Sequence, residues 1–149
     1  AIWVATVSNI DIGLHYNETD YKTEIIRIMD RLEALNFNLM FFQVRPMNDA
    51  FYASSLAPYS RFLMGVEGQD PGWDVLSFMI EEAHKRGIEF HAWLNPYRVS
   101  TDTISKEAQL AMLSDGNFAK MHPNLVSPNL FLYSISTHPS FLMRAFLFG

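Results

Sequence analysis

The chain has 149 residues, of which 49% are hydrophobic and 18% are charged, and its formal net charge is -5. This length and apolar content are typical of one globular domain with a real core, whereas the acidic balance argues against nucleic-acid binding, which needs clustered lysine and arginine. The absence of cysteine excludes disulfides, thiolate metal sites and a cysteine nucleophile but leaves the redox compartment open.

The residues given carry no signal for membrane insertion or export. No apolar run approaches the roughly 20 residues of a membrane-spanning helix. The opening AIWVATVSNID lacks the charged region and the cleavage site of a signal peptide. We therefore expect a soluble chain without a transmembrane segment.

Three short apolar segments are predicted to be β-strands. They are residues 2–8, 37–46 and 88–96, each rich in β-branched or aromatic types and bounded by polar or turn-forming residues. The second segment is apolar almost throughout, which is the pattern of a strand buried on both faces of a parallel sheet.

Two helices are predicted between these strands. Apolar residues recur at spacings of three and four after Thr19 or Asp20, either of which is a suitable N-cap, and the pattern ends at Asn36. A second helix is predicted to begin at Asp74 and to end at Gly87. The order strand, helix, strand, helix, strand predicts right-handed βαβ units, a parallel sheet and an α/β fold.

The remaining third of the chain carries weaker signals. Residues 104–113 have modest helical character, and residues 115–123 are predicted to form a turn and a loop. Residues 121–149 contain no Asp, Glu or Lys. So apolar a tail is expected to pack against the rest of the chain or against another protein.

Strand alternation places candidate functional side chains on one face of the sheet. In the second strand Gln43 and Arg45 share a face, and in the third His91, Trp93 and Asn95 do so. Both sets run toward the C-terminal ends of their strands, where ligands bind in α/β folds. The long connections that follow these strands strengthen the expectation of a site there.

Each of these candidates has a functional and a structural interpretation. Arg45 is suited to bind a carboxylate or sugar hydroxyls, or to form an ion pair with Asp49 or Asp70. Trp93 and Asn95 are suited to stack on and hydrogen-bond to a sugar ring, or to serve as a core aromatic and a satisfied core amide.

Four further side chains are weighed in the same way. His91 is predicted to be a buried, hydrogen-bonded histidine rather than a general acid or base, and Trp3 is predicted to lie in the core. Asp49 and Asp11 each follow a strand, where either could meet a ligand or form an Asx turn. The histidines show no metal-ligand spacing, and the glycine-rich cofactor motifs and the GxSxG elbow are absent, so no metal or cofactor is predicted.

Several motifs occurring in order resemble a known family. These are the opening WVATVSNID, then QVRP, DPGWD, EEAHKRG and HAWLNPYR, and finally KMHP. Together they resemble the glycoside-hydrolase-like family of bacterial (β/α)8 barrels, over residues 1–123. The resemblance implies a glycosidase that cleaves a cell-envelope polysaccharide such as peptidoglycan, in the periplasm or outside the cell. It also implies substrate-binding roles for the following residues: Arg45, Asp49, Trp93, Asn95, Tyr97 and Arg98, with Asp11, Gln43 and His91 less strongly indicated.

The family pattern is incomplete in this chain. A (β/α)8 barrel takes roughly 250 residues, so three strands followed by a poorly matching tail at residues 124–149 correspond to the N-terminal part of an incomplete barrel. The family's acidic strand ending of the type HFDDYFYP is absent, which places the expected catalytic carboxylates beyond residue 149. We expect association through the exposed barrel edge and the apolar tail. The alternative function is a non-catalytic carbohydrate-binding or envelope-assembly protein built on a degenerate barrel.

Overall fold

A three-stranded parallel sheet forms the centre of the computed structural model, which describes residues 1–128 and 133–135. Its strands are β1 (Ile2–Val4), β2 (Leu39–Arg45) and β3 (Glu89–Leu94), in the order β1-β2-β3. Helix α1 (Glu18–Ala34) connects β1 to β2. Between β2 and β3 the chain forms a short helix, α2 (Arg61–Met64), and then α3 (Val75–Lys85). The predicted α/β class and parallel sheet are confirmed.

The strand register aligns the aromatic residues of one sheet face. Trp3 of β1 pairs with Phe41 of β2, which pairs in turn with His91 of β3. Two residues further along both strands, Gln43 pairs with Trp93. The predicted placement of Gln43, His91 and Trp93 on a common face is therefore correct. We call this side of the sheet, which also carries Trp3 and Phe41, the aromatic face.

The opposite face of the sheet carries the main hydrophobic core. Helices α1 and α3 pack against it. Their apolar stripes and the strand side chains on this face are removed from water by contact with each other. The largest fully buried apolar side chains of this core include Tyr21, Ile25, Met29, Met40, Phe42 and Met79.

The first strand is shorter than the predicted segment 2–8. After Val4 the chain leaves the sheet and makes a 3-10 turn at Val7–Asn9. The reason lies in Gln43, whose Oε1 accepts hydrogen bonds from the main-chain N–H groups of Thr6 and Val7 at 2.9 and 3.0 Å. These donors are satisfied by a side chain instead of by a neighbouring strand.

The N-cap of helix α1 lies two residues before Thr19 and three before Asp20, the two predicted caps. Asn17 is the N-cap: its backbone is extended and its Oδ1 accepts a hydrogen bond from the N–H of Asp20 at 2.9 Å. Thr19 and Asp20 are therefore already helical, and the prediction that one of them caps the helix is wrong. Helix α3, in contrast, is capped by Asp74 and followed by Gly87 at φ 67°, both as predicted.

A second, smaller unit follows the parallel sheet. It contains β4 (Arg98–Ser100), α4 (Lys106–Met112), α5 (Phe118–Met121), β5 (Val126–Pro128) and β6 (Tyr133–Ile135). Its strands form an antiparallel sheet in the order β4-β6-β5. Helix α5 lies where a turn and a loop were predicted, and it forms because the Asn117 side chain accepts the N–H of Ala119 at 2.9 Å. Among the residues whose burial is described, the core of this unit contains Val99, Leu113, Ala119 and Val126.

Polar contacts fasten this unit to the loop after β2. Glu67 Oε1 accepts hydrogen bonds from the N–H and the hydroxyl of Ser114 at 2.8 and 2.9 Å and from the Asn117 amide at 3.2 Å. Arg61 forms an ion pair with Asp102 at 3.0 Å. The unit therefore lies beside the C-terminal ends of the parallel strands, from which that loop emerges.

The predicted apolar tail begins inside this unit. Its residues 126–128 and 133–135 pair with β4 or with each other, whereas residues 129–132 and 136–149 lie outside the described residues. No helix in the described part of the chain is both long enough and apolar enough to cross a membrane.

Candidate functional site

The candidate site lies where β2 and β3 end. The main-chain N–H of Asn95 donates to the carbonyl of Arg45 at 2.9 Å, one residue beyond the end of β3. The Asn95 side-chain amide also donates to the carbonyl of Pro46, at 3.5 Å. These contacts bring Arg45, Trp93 and Asn95 together as the strand pattern predicted, and they hold the two strand ends in a defined register.

Trp93 and Asn95 contact each other directly. The indole Nε1 of Trp93 donates a hydrogen bond to Oδ1 of Asn95 at 2.9 Å. The Trp93 ring also meets Trp3 edge to face, with ring centroids 5.2 Å apart and an interplanar angle of 84°. The indole therefore contacts an amide through its N–H and also contacts a second aromatic ring that lies nearly perpendicular to it.

Arg45 is buried with 4% of its surface exposed. Its Nε donates to the main-chain carbonyl of Asp49 at 3.4 Å. The contact between these two residues is thus with the main chain of Asp49, not with its carboxylate. Asp70, the other predicted ion-pair partner, is exposed and accepts the N–H of Gly72 at 2.8 Å.

Asp49 is fully buried. Its Oδ1 accepts the N–H of Met47, two residues earlier in the chain, at 3.0 Å. This is the reverse of the predicted Asx turn, in which the N–H two residues later would donate. Burial raises the pKa of its carboxyl to about 6, against hydrogen bonding to Ser60 and Met47, which lowers it, while the charge of Glu67 raises it further. This buried carboxyl thus bonds to the main chain of the loop that follows β2.

Gln43 and Asp11 both hold the turn after β1. Besides its bonds to Thr6 and Val7, Gln43 accepts the Thr6 hydroxyl at its main-chain carbonyl at 2.8 Å. Oδ2 of Asp11 accepts the N–H of Ala5 at 2.7 Å. Both predicted candidates are therefore engaged with the protein backbone, although they remain adjacent to the strand ends.

Two expectations about the aromatic face are wrong. Trp3 was predicted to lie in the core, but 58% of its surface is exposed, and its ring stacks on Phe41 with centroids 4.4 Å apart. His91 was predicted to be buried, but its side chain is exposed, 3.4 Å from Glu89 and edge-on to Phe41. The reason is the same for both: β1 and β3 are the outer strands of the described sheet, and its helices α1 and α3 cover only the opposite face.

Tyr97 and Arg98 lie just beyond β3. Tyr97 is 46% exposed. Arg98 begins β4, its carbonyl accepts the Asn48 amide at 3.1 Å, and partial burial lowers the pKa of its guanidinium. Asn48 was not among the predicted site residues, although it directly precedes Asp49, and it links the loop after β2 to the residues that follow β3.

The chemistry available at this site is that of binding. Trp93 and Tyr97 offer aromatic surface, and Arg98 offers donors, whereas Asp49, one of the predicted substrate-binding residues, is enclosed. In residues 1–128 and 133–135, no group of three or more His, Asp or Glu side chains is placed to hold a metal ion.

Comparison with known proteins identifies the family. The profile of the family described as glycosyl hydrolase-like 10 matches residues 1–129. Glycosyl hydrolase YngK of Bacillus subtilis (strain 168) is 44% identical over 131 residues, covering 85% of this chain and 24% of the relative. Glycosyl hydrolase DigH of Escherichia coli (strain K12) is 40% identical over 111 residues, covering 68% of this chain and 25% of the relative. The chain thus spans about a quarter of the length of these curated relatives. By its profile match and by these identities, the chain belongs to the glycosyl hydrolase-like 10 family.

Proposed function

We propose that this chain is the N-terminal part of a glycoside hydrolase that acts on a cell-envelope or other polysaccharide, and that it supplies substrate-binding residues. The observation that carries the proposal is the fixed indole of Trp93 at the C-terminal edge of a parallel sheet, in a chain of a glycosyl hydrolase-like family. Ligands of α/β proteins bind at that edge.

The side chains around Trp93 suit a carbohydrate. An aromatic ring offers an apolar surface to the C–H face of a sugar, while nearby donors bind its hydroxyls. Tyr97 is half exposed beside the end of β3, and the guanidinium of Arg98 follows it directly. Trp93, Tyr97 and Arg98 are therefore the residues that we propose contact the glycan, with Arg45 and Asp49 shaping the site from beneath.

The proposed architecture is a (β/α)8 barrel of which β1, β2 and β3 form the first strands. Two features support it: the strands are parallel with their helices on one face, and the other face carries Trp3, Phe41 and His91 without a covering layer in the described residues. In a complete barrel of roughly 250 residues that face would be the interior. The pair of carboxylates that glycoside hydrolysis requires is proposed to come from the remaining strands.

The proposed substrate is peptidoglycan or a related glycan, and the proposed location is the periplasm or the cell exterior. Support for both comes from the family resemblance and from bacterial relatives that are named glycosyl hydrolases.

The test is made on the full-length protein with peptide-free peptidoglycan strands as substrate. We expect it to release reducing ends, and we expect Trp93→Ala to weaken glycan binding while the melting temperature changes little. Loss of several kcal/mol of stability with unchanged glycan affinity would assign Trp93 to the core instead. Glycan binding without release of reducing ends would support the alternative, a non-catalytic carbohydrate-binding or envelope-assembly protein.

A further inference from the structure

We infer that Asn95 is a positioning residue that sets the orientation of the Trp93 indole, and that its amide is oriented by the protein and does not turn toward the sugar. This inference rests on the proposed function, because it names which of two neighbouring side chains meets the glycan. It also departs from the expectation drawn from the sequence, in which the amide and the indole shared the sugar.

The main chain first fixes where Asn95 stands. Its N–H bonds to the Arg45 carbonyl at 2.9 Å, just after the register shift between Gln43 and Arg45 in the β2–β3 pairing. This bond extends the pairing one residue past Leu94, so Asn95 is anchored to the end of β2. The backbone position from which the Asn95 side chain extends is therefore fixed relative to β2.

The two ends of the Asn95 amide are both engaged within the protein. Trp93 Nε1 is only a donor, so the amide oxygen must face it, and the Pro46 carbonyl is only an acceptor, so the amide nitrogen must face that carbonyl. The two partners therefore define the orientation of the amide without ambiguity. Turning the amide toward a sugar would leave the indole N–H without its acceptor, at a cost typical of an unpaired, partly buried donor.

The same contacts fix the plane of the Trp93 ring, which is its proposed recognition surface. One edge of the indole meets Oδ1 of Asn95 and the ring meets Trp3 at 84°. Rotation of the Trp93 side chain to another rotamer would break both contacts at once. Stacking on a sugar is favoured by a ring plane that is already set before the ligand arrives, because ordering a free side chain on binding costs conformational entropy.

Loss of the contact between Asn95 and the Trp93 indole is expected to weaken glycan binding more than it lowers the turnover rate. For Asn95→Leu we expect KM for peptide-free peptidoglycan strands to rise on the order of 2- to 10-fold, with kcat changed less. Asn95→Asp keeps an oxygen for the indole N–H and is expected to retain more affinity than Asn95→Leu. In a Trp93→Phe background, which has no indole N–H, Asn95→Leu is expected to cause little further rise in KM.

The experiment uses full-length protein labelled with 5-fluorotryptophan and observed by fluorine NMR, together with steady-state kinetics. Trp93→Phe identifies the Trp93 resonance, and Asn95→Leu is expected to shift that resonance. Asn38→Leu is the control, because Asn38 is exposed at the opposite end of β2 and the same replacement there should leave the Trp93 resonance and KM unchanged.

The outcomes separate the inference from the proposed function. If the parent protein neither binds nor cleaves the glycan, the proposed function fails, while the Trp93 resonance still shows whether Asn95 positions the ring. An unshifted Trp93 resonance in Asn95→Leu would overturn the inference. An equal loss of affinity on adding Asn95→Leu to the parent and to the Trp93→Phe variant would also overturn it, since it would mean that the amide meets the sugar itself.

Discussion

Trp3 stacks on Phe41 across the first two parallel strands, with ring centroids 4.4 Å apart and planes inclined by 19°. The pair lies on the face of the sheet that α1 and α3 leave uncovered, and most of the Trp3 surface is exposed. An exposed indole in the middle of a strand is unusual for a globular domain, because large aromatic side chains contribute most to stability when they are buried. The proposed barrel explains it by placing this face inside.

Trp3→Ala tests that explanation. In the full-length protein we expect a loss of about 3–5 kcal/mol in the free energy of unfolding, the cost of emptying a buried aromatic site. The measurement is denaturant unfolding of the variant beside the parent. A loss of only about 1 kcal/mol, the size of a single exposed aromatic pair, would show that nothing covers this face.

The isolated chain of 149 residues is expected to associate. Its outer strands β1 and β3 leave main-chain donors and acceptors at the two edges of the described sheet. Beside β1 a groove of about 220 Å³ runs along α1, lined mainly by apolar side chains that include Ile2, Ile28, Leu32 and Leu35. Light scattering after size-exclusion chromatography should therefore report oligomers or aggregates. A sharp monomer peak with cooperative unfolding would contradict this expectation.

Asp49→Asn is expected to stabilise the protein in a pH-dependent way. The folded state holds the pKa of Asp49 at about 6, above the value of about 3.9 in an unfolded chain, so the folded state favours the protonated acid. Below about pH 4 the group is protonated in both states and costs nothing, and as the pH rises through 6 the full penalty develops. Asparagine retains an oxygen for the Met47 N–H. The free energy of unfolding of the variant should therefore exceed that of the parent by on the order of 2–3 kcal/mol at pH 7 and by little at pH 4.

Thermal unfolding of the two proteins at several pH values measures this gain. Asp70→Asn is the matched control, because it makes the same replacement at an exposed side chain of the same loop. A difference between Asp49→Asn and the parent that stays constant from pH 4 to pH 7 would show that the carboxyl does not titrate as its burial implies.

Asn17→Ala is expected to lower the free energy of unfolding by about 1 kcal/mol. The Asn17 side chain accepts the N–H of Asp20, and alanine leaves that donor at the start of α1 without its cap. Thr19→Ala, one of the positions that the sequence pattern favoured, serves as the comparison and should cost less. A larger loss for Thr19→Ala than for Asn17→Ala would mean that the helix begins later than described.

The candidate site was predictable in part. Strand alternation placed Gln43, Arg45, Trp93 and Asn95 on one face and near the strand ends, because side chains along a strand point alternately to opposite faces. It could not show that the Asn95 amide would be occupied by the Trp93 indole, or that Arg45 would meet the main chain of Asp49. The Asn95 position in particular depends on how the ends of two strands, far apart in sequence, meet in the fold.

The sequence by itself determined the α/β class, the parallel order of strands and the boundaries of α3, because these follow from apolar periodicity and from capping residues that act over a few neighbours. Only the tertiary structure decided where β1 ends and which residues are buried. Gln43 draws the Thr6 and Val7 N–H groups away from the sheet, and Trp3 and His91 are exposed because the helices cover the other face. Such outcomes depend on which surfaces meet across the fold, and a local pattern does not contain that information.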